Sequence, residues 1–149
     1  MKLAHRVRTS ASPAQVWDLL GTPANWPRFD VFLTRVKGGG DTVMVGQRLV
    51  GISRWTKLGI PLDVLEVDPE HKLVLRVHTA PGVTEELTFV LTPTTRGGTD
   101  ISVSIVVEGL FARAAVPVLW LANGLNARVL ARRTHQIARA LRRTAKSVA

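Results

Sequence analysis

From residue 71 onward the chain alternates apolar and polar side chains. Leu73, Leu75 and Val77 share one face, then Leu87, Phe89 and Leu91, then Ile101, Val103, Ile105 and Val107. Lys72, Arg76, Glu86, Thr88, Ser102 and Ser104 fall on the opposite face. A period of two with one apolar and one wet face predicts antiparallel strands covered on one side. Upstream the alternation is weaker, but turn signals cut the chain into pieces of similar length. The expected strands are 2–9, 31–37, 46–55, 58–67, 71–79, 83–92 and 99–107. Between them stand breaks such as Gly38-Gly39-Gly40-Asp41, Asp68-Pro69-Glu70, Pro81-Gly82 and Arg96-Gly97-Gly98. Pro61 argues against a central place for the 58–67 strand, because proline donates no ladder hydrogen bond.

Two stretches change the period. Ser12-Pro13-Ala14-Gln15 carries a cap, a first-turn proline and the partner of a capping box. It opens a helix bearing Val16, Trp17, Leu19 and Leu20 that stops at Gly21. Thr22 to Phe29, with Pro23 and Pro27, is a turn or one-turn helix. The second stretch runs from Pro117 to about Lys146. At about 100° per residue, Leu119, Asn123, Leu130, Ile137, Leu141 and Val148 fall in one narrow sector. Arg113, Arg128, Arg132, Arg139, Arg142, Arg143 and Lys146 fall opposite, and only Arg133 strays. This predicts an amphipathic helix of about 30 residues, ~45 Å long, able to lie across a whole sheet.

The expected architecture is therefore α+β: a curved antiparallel β-sheet of about seven strands, one or two short helices after the first strand, and a long C-terminal helix on the apolar face. The 149 residues fit a single domain, 1–149. A bent sheet facing Asn123, Gly124 and Ala127 leaves space for a cavity, with Leu75, Phe89 and Val103 as its floor.

The residues that open the chain also carry a family pattern. Val7-x-Thr9-x-Ala11-Ser12-Pro13-Ala14-Gln15-Val16-Trp17-Asp18-Leu19-Leu20 resembles the opening of the START-like, or SRPBCC, superfamily. Asn25-Trp26-Pro27-Arg28-Phe29 is similar to the Trp-Pro element that commonly follows. Gly46-Gln47-Arg48 and the terminal Ala140-Leu141-Arg142-Arg143 also match, so the resemblance covers essentially the whole chain. It is strongest to the polyketide cyclase/dehydrase and lipid-transport branch. The resemblance implies the helix-grip fold, with a ligand cavity between sheet and long helix. Members of the branch include carriers and cyclases, so the chemistry stays open, and no catalytic motif carries over residue by residue.

Composition narrows the chemistry. The absence of cysteine removes disulfides, thiolate metal sites and cysteine nucleophiles. No signal peptide is visible, and the run Ala114 to Leu125 is shorter than the ~20 residues a bilayer crossing needs, so a cytoplasmic location is expected. The net charge of +9 is concentrated after residue 108, where 8 Lys and Arg meet no acid. A nucleic-acid or anionic-lipid partner would have to use that segment alone. It lacks aromatics for base stacking, so specific nucleic-acid recognition is not expected. Basic residues beside the apolar Val118, Leu121 and Leu125 suit either weak contact with an anionic membrane surface or a homodimer interface.

His5, His71, His78 and His135 form no metal-ligand spacing, and no P-loop or G-x-G-x-x-G is present, so neither metal nor cofactor is expected. Glu85 shares the alternation of Leu87 and Phe89 and points to the apolar side, where burial raises a carboxyl pKa. The alternative places it at a solvated rim near Arg76 or a tail arginine. His5 shares the face of Val7 and either reaches the pocket or makes an edge hydrogen bond. Asn123 either orients a ligand carbonyl or bonds backbone near Gly109.

Trp26, Phe29, Phe32, Trp55, Phe111 and Trp120 are candidates to close one end of the cavity, with ordinary core as the competing role for each. Leu75, Val77, Leu87, Phe89, Val103, Ile105 and Ala127 complete the expected wall. The leading reading is reversible binding of a hydrophobic small molecule such as a lipid, polyketide or aromatic metabolite. The alternatives are a cyclase/dehydratase-type enzyme with Glu85 or His5 as acid/base, and a membrane-surface interaction module built on the basic helix.

Overall fold

The computed structural model describes residues 2–148, with side chains through Lys146. Seven strands, β1 (Lys2–Thr9), β2 (Leu33–Lys37), β3 (Arg48–Ser53), β4 (Gly59–Asp68), β5 (Lys72–Ala80), β6 (Val83–Pro93) and β7 (Thr99–Glu108), form one antiparallel sheet. Its order is β1-β7-β6-β5-β4-β3-β2. Helix α1 (Pro13–Leu20) and a 3₁₀ helix (Pro23–Arg28) follow β1, and α2 (Ala112–Val148) ends the chain. This is the α+β arrangement that the two hydrophobic periods predict, and the helix-grip fold that the resemblance implies.

Local chemistry sets the elements as read. The Ser12 hydroxyl accepts from the Gln15 backbone N–H at 3.3 Å, and the Gln15 side chain accepts from the Ser12 N–H at 2.9 Å. Trp26 Nε1 donates to the Leu20 carbonyl at 2.8 Å, pinning the 3₁₀ helix to the end of α1. β4 corrects the expectation from Pro61, because it is an interior strand. Pro61 pairs with Val50 of β3, while pairing with β5 begins only at Leu62. The missing donor therefore interrupts no β4–β5 pair.

One continuous core joins α1, the sheet and α2. Val16, Leu20, Leu49, Leu73, Ile101 and Leu130 are fully buried in it. A smaller cluster of Val83, Ile105, Val107 and Leu119 sits under the start of α2. Thr9 and Thr134 meet through a buried hydroxyl–hydroxyl bond of 2.8 Å, which ties β1 to α2.

Helix α2 departs from expectation at both ends. It begins at Ala112, ahead of Pro117, which is held within its early turns. Leu141 does not pack: it is 53% exposed. The reason is length. At 37 residues α2 spans about 55 Å, whereas a ten-residue strand spans about 33 Å. The helix overshoots the sheet, and Ala138 is the last described residue buried on it. Val148, assigned to the same apolar sector, lies outside the residues whose side chains are described. Over one 18-residue window α2 reaches a mean hydropathy of 1.2, enough by length and composition alone to cross a membrane. The run Ala114 to Leu125 taken by itself falls short of that. The buried side of α2 nonetheless packs on the sheet and α1.

Candidate functional site

A cavity of about 280 Å³ opens between the sheet and the first half of α2. Helix α2 packs directly on β1 and β7 but not on β3, β4 or β5. It stands off from that side of the curved sheet, and the cavity occupies the gap. Ser53, Ile60, Leu62, Leu75, Val77, Leu87 and Phe89 form the sheet wall. Trp26, Phe29, Phe32 and Leu33 close one side, and Val118, Leu119 and Ala122 of α2 form the roof. Val118 is both part of the lining and 68% exposed, which places it at the mouth.

The expected wall therefore divides. Trp26, Phe29, Phe32, Leu75, Val77, Glu85, Leu87, Phe89 and Asn123 line the cavity. Val103 and Ile105 do not, because they belong to β7, which α2 covers by direct packing. Ala127 is buried in the main core further along α2, past the gap. Trp55 lies outside as well, its ring 4.9 Å from that of Phe32 and largely exposed. Phe111 is exposed beside Gly82, and Trp120 turns toward β1.

His5 is likewise not a cavity residue. Its Nε2 lies 2.8 Å from the Trp120 carbonyl, and its ring sits 4.7 Å from the Trp120 ring, directly over Gly124. A Cβ on Gly124 would stand 2.7 Å from that ring. The glycine in α2 thus makes room for an imidazole rather than for a ligand, and His5 locks β1 to the helix. The other histidines have local partners: His71 the Pro69 carbonyl, His78 the Asp63 carboxylate and His135 the Ser10 hydroxyl.

The polar chemistry gathers around Glu85. Alternation along β6 turns it inward, and it is 4% exposed. Asn123 Nδ2 donates to its Oε1 at 2.6 Å and to the Leu119 carbonyl at 2.9 Å. Thr79 Oγ1 donates to Oε2 at 3.4 Å. The solvated-rim alternative therefore fails, and Asn123 bonds a carboxylate instead of backbone near Gly109. Burial raises the Glu85 pKa, the two donors partly oppose the rise, and the charge of Asp30 adds to it.

Asp30 is a cavity residue that the sequence did not reveal. It follows the 3₁₀ helix in a stretch without periodicity. Burial raises its pKa too, against a hydrogen bond from the Phe32 N–H at 3.0 Å and the side chain of Asn126. Asn126 also accepts from the Val31 N–H at 3.1 Å. A signal existed for Asn126, which stands three residues after Asn123 and so on the same helical face. Thr79 was legible in the same way, as the next inward position after Leu75 and Val77.

The basic side of α2 is exposed throughout, from Arg113 to Lys146, Arg133 included. Leu121 and Leu125 are exposed beside it, near the mouth marked by Val118.

Comparison with known proteins agrees with this architecture. The structure of protein MLL2253 from Mesorhizobium loti superposes with a TM-score of 0.73 at 20% identity, covering 89% of this chain and 95% of that one. XoxI from Bacillus cereus gives 0.75 at 14% identity, covering 92% and 97%. The di-domain ARO/CYC BexL of the BE-7585A biosynthetic pathway gives 0.75 at 13% identity, covering 89% of this chain and 45% of that one. These likenesses establish the shared fold. No curated protein matches the sequence significantly. The family model described as polyketide cyclase / dehydrase and lipid transport matches residues 1–148. The chain, by a match that runs from its first strand through its last helix, belongs to the polyketide cyclase/dehydrase and lipid-transport family.

Proposed function

We propose that the chain reversibly binds an apolar small molecule, such as a lipid, polyketide or aromatic metabolite, in the cavity under α2. The observation that supports this reading is the cavity itself, about 280 Å³ with aliphatic and aromatic walls and a small set of convergent polar groups. Protein interiors leave few voids larger than a water molecule. Apolar walls supply affinity for a ligand, and a few fixed polar groups supply its orientation. The ARO/CYC description of BexL fits the same class of molecule. Native mass spectrometry after gentle purification should show the chain carrying a discrete extra mass that activation removes. Ala122→Phe, which fills the roof, should abolish that extra mass while the protein melts at or above the parent temperature. An extra mass that survives Ala122→Phe places the ligand elsewhere.

A second reading, a cyclase/dehydratase-type enzyme, is favoured by Glu85. Burial moves its pKa upward, toward the range where a carboxylate serves as acid or base at neutral pH. His5 lies outside the cavity and drops out of that role. With an aromatic β-hydroxy ketone as substrate, Glu85→Gln should slow dehydration by about 10²-fold or more and leave substrate binding in place. Unchanged turnover would exclude Glu85 as the proton-transfer group.

The exposed Leu121 and Leu125 beside the arginines of α2 support weak docking of the mouth on an anionic membrane. Each cation near such a surface contributes about 1 kcal/mol. Vesicles rich in acidic lipid should co-sediment the protein at low salt and neutral vesicles should not. Equal sedimentation with both removes the membrane role and leaves a homodimer contact as the use of that patch.

A further inference from the structure

The chain carries 20 Lys and Arg against 11 Asp and Glu, yet the charged residues that line its cavity are acids only. Glu85 enters from β6 and Asp30 from the turn before β2. Facing them are Asn123 and Asn126 of α2, Thr79 of β5 and Ser53 of β3, none of them charged. No Lys, Arg or His is part of the lining among the described residues. A ligand carboxylate would enter as a third negative group, with no base to pair it. A ligand cation would meet two carboxylates that repel each other across a space of low dielectric, and its presence relieves that repulsion.

The carboxylates are also held ready. Asn123 fixes Glu85 through Oε1, and the Phe32 N–H fixes Asp30 through Oδ1. Each carboxylate has lone pairs beyond those its described partners use, and an ammonium brings three N–H donors. Charge-assisted hydrogen bonds of this kind are roughly twice as strong as neutral ones.

We propose that the cavity selects an apolar molecule bearing a protonated amine, with its ammonium facing Asp30 and Glu85, and rejects the corresponding carboxylate. This selection rests on the cavity being the ligand site. It is distinct from proton transfer by Glu85, since it requires both acids in their charged forms and no chemical step. The amine's affinity falls as pH drops through the carboxyl titrations, because protonation removes the counter-charge. The other groups facing the pair, Asn123, Asn126, Thr79 and Ser53, do not titrate in that range.

The test uses three probes with one apolar body: naphthylmethylamine, naphthylmethanol and naphthoate, titrated calorimetrically into the full chain at neutral pH. The amine should bind at least about tenfold tighter than the alcohol, a difference of about 1.4 kcal/mol, and naphthoate should bind weakest. The double substitution Asp30→Asn with Glu85→Gln keeps size and hydrogen-bonding capacity. It should hold the alcohol as the parent does and lose the preference for the amine. Should that variant not fold, the parent's own pH series decides: amine affinity must fall with pH while alcohol affinity stays level. An amine that binds no tighter than the alcohol overturns the selection and leaves the cavity as a ligand site. Failure of all three probes to bind overturns the cavity reading and the selection together.

Discussion

Leu130→Asp should abolish cooperative folding, while Leu141→Asp should melt within a degree or two of the parent. Both leucines belong to one apolar sector of α2, and only the structure separates them. Leu130 is 0% exposed in the main core, in one cluster with Val16 and Leu20 of α1 and Leu73 and Ile101 of the sheet. An aspartate there loses the packing of the leucine, which costs about 2–5 kcal/mol. It also buries a charge with no partner, at several kcal/mol more. The sum approaches the whole stability of an ordinary domain, roughly 5–15 kcal/mol. Leu141 stands past the edge of the sheet, and a surface change there is worth about 0.5 kcal/mol or less. Thermal melts followed by circular dichroism distinguish the two, and equal losses would contradict the overshoot of α2.

The second large effect is expected at Gly109, where β7 hands over to α2. Its φ is +116°, a region that side chains avoid. A Cβ built there stands 2.3 Å from the Gly82 carbonyl oxygen and 2.8 Å from its carbon. That carbonyl accepts from the Phe111 N–H at 3.0 Å, so it is not free to retreat. Gly109→Ala therefore adds overlap with backbone to conformational strain, together about 3 kcal/mol or more. Gly97 has φ +83° and nothing within 4 Å of its Cβ position. Gly97→Ala meets the strain alone and should cost about 1 kcal/mol. Urea unfolding midpoints give the ratio. Equal losses at the two glycines would mean that the turns at Gly82 and Gly109 do not touch.

The fold was legible because its two periods are clean. Inward Leu73, Leu75, Phe89, Leu91, Ile101 and Val103 and the leucine sector of α2 each predict one face, and burial follows the strands throughout and the helix as far as Ala138, past which Leu141 is exposed. The capping box at Ser12 is a local rule and formed as read. The site was legible only where it borrows those periods. Glu85 and Asn123 sit on periodic elements, so their inward direction could be read, and they bond each other. Asp30 and the boundary between lined and filled space could not be. They depend on where α2 touches the sheet, on β1 and β7 rather than on β3 to β5, and that offset leaves no mark on the alternation of any strand. The same offset moved Val103, Ile105 and Ala127 from wall to core. His5 shows the limit at a single residue: of its two readings the structure has the hydrogen bond, to the Trp120 carbonyl with the ring over Gly124, and His5 does not line the cavity.

The pairing of β1 with β7 sets the order in which the molecule can assemble. Residues 2–9 lie against residues 99–106, so the first strand has no neighbour in the sheet until most of the chain exists. Contacts between such distant segments carry a large loop-closure entropy and form late. During synthesis β2 to β6 can zip as successive hairpins, each to the strand just made. β1 and the apolar side of α1 must wait, with Val16, Leu19 and Leu20 uncovered, until β7 and then α2 leave the ribosome. Helix α2 therefore completes the core around β1 and α1, and a chain released before α2 would present its sheet's apolar face to the solvent.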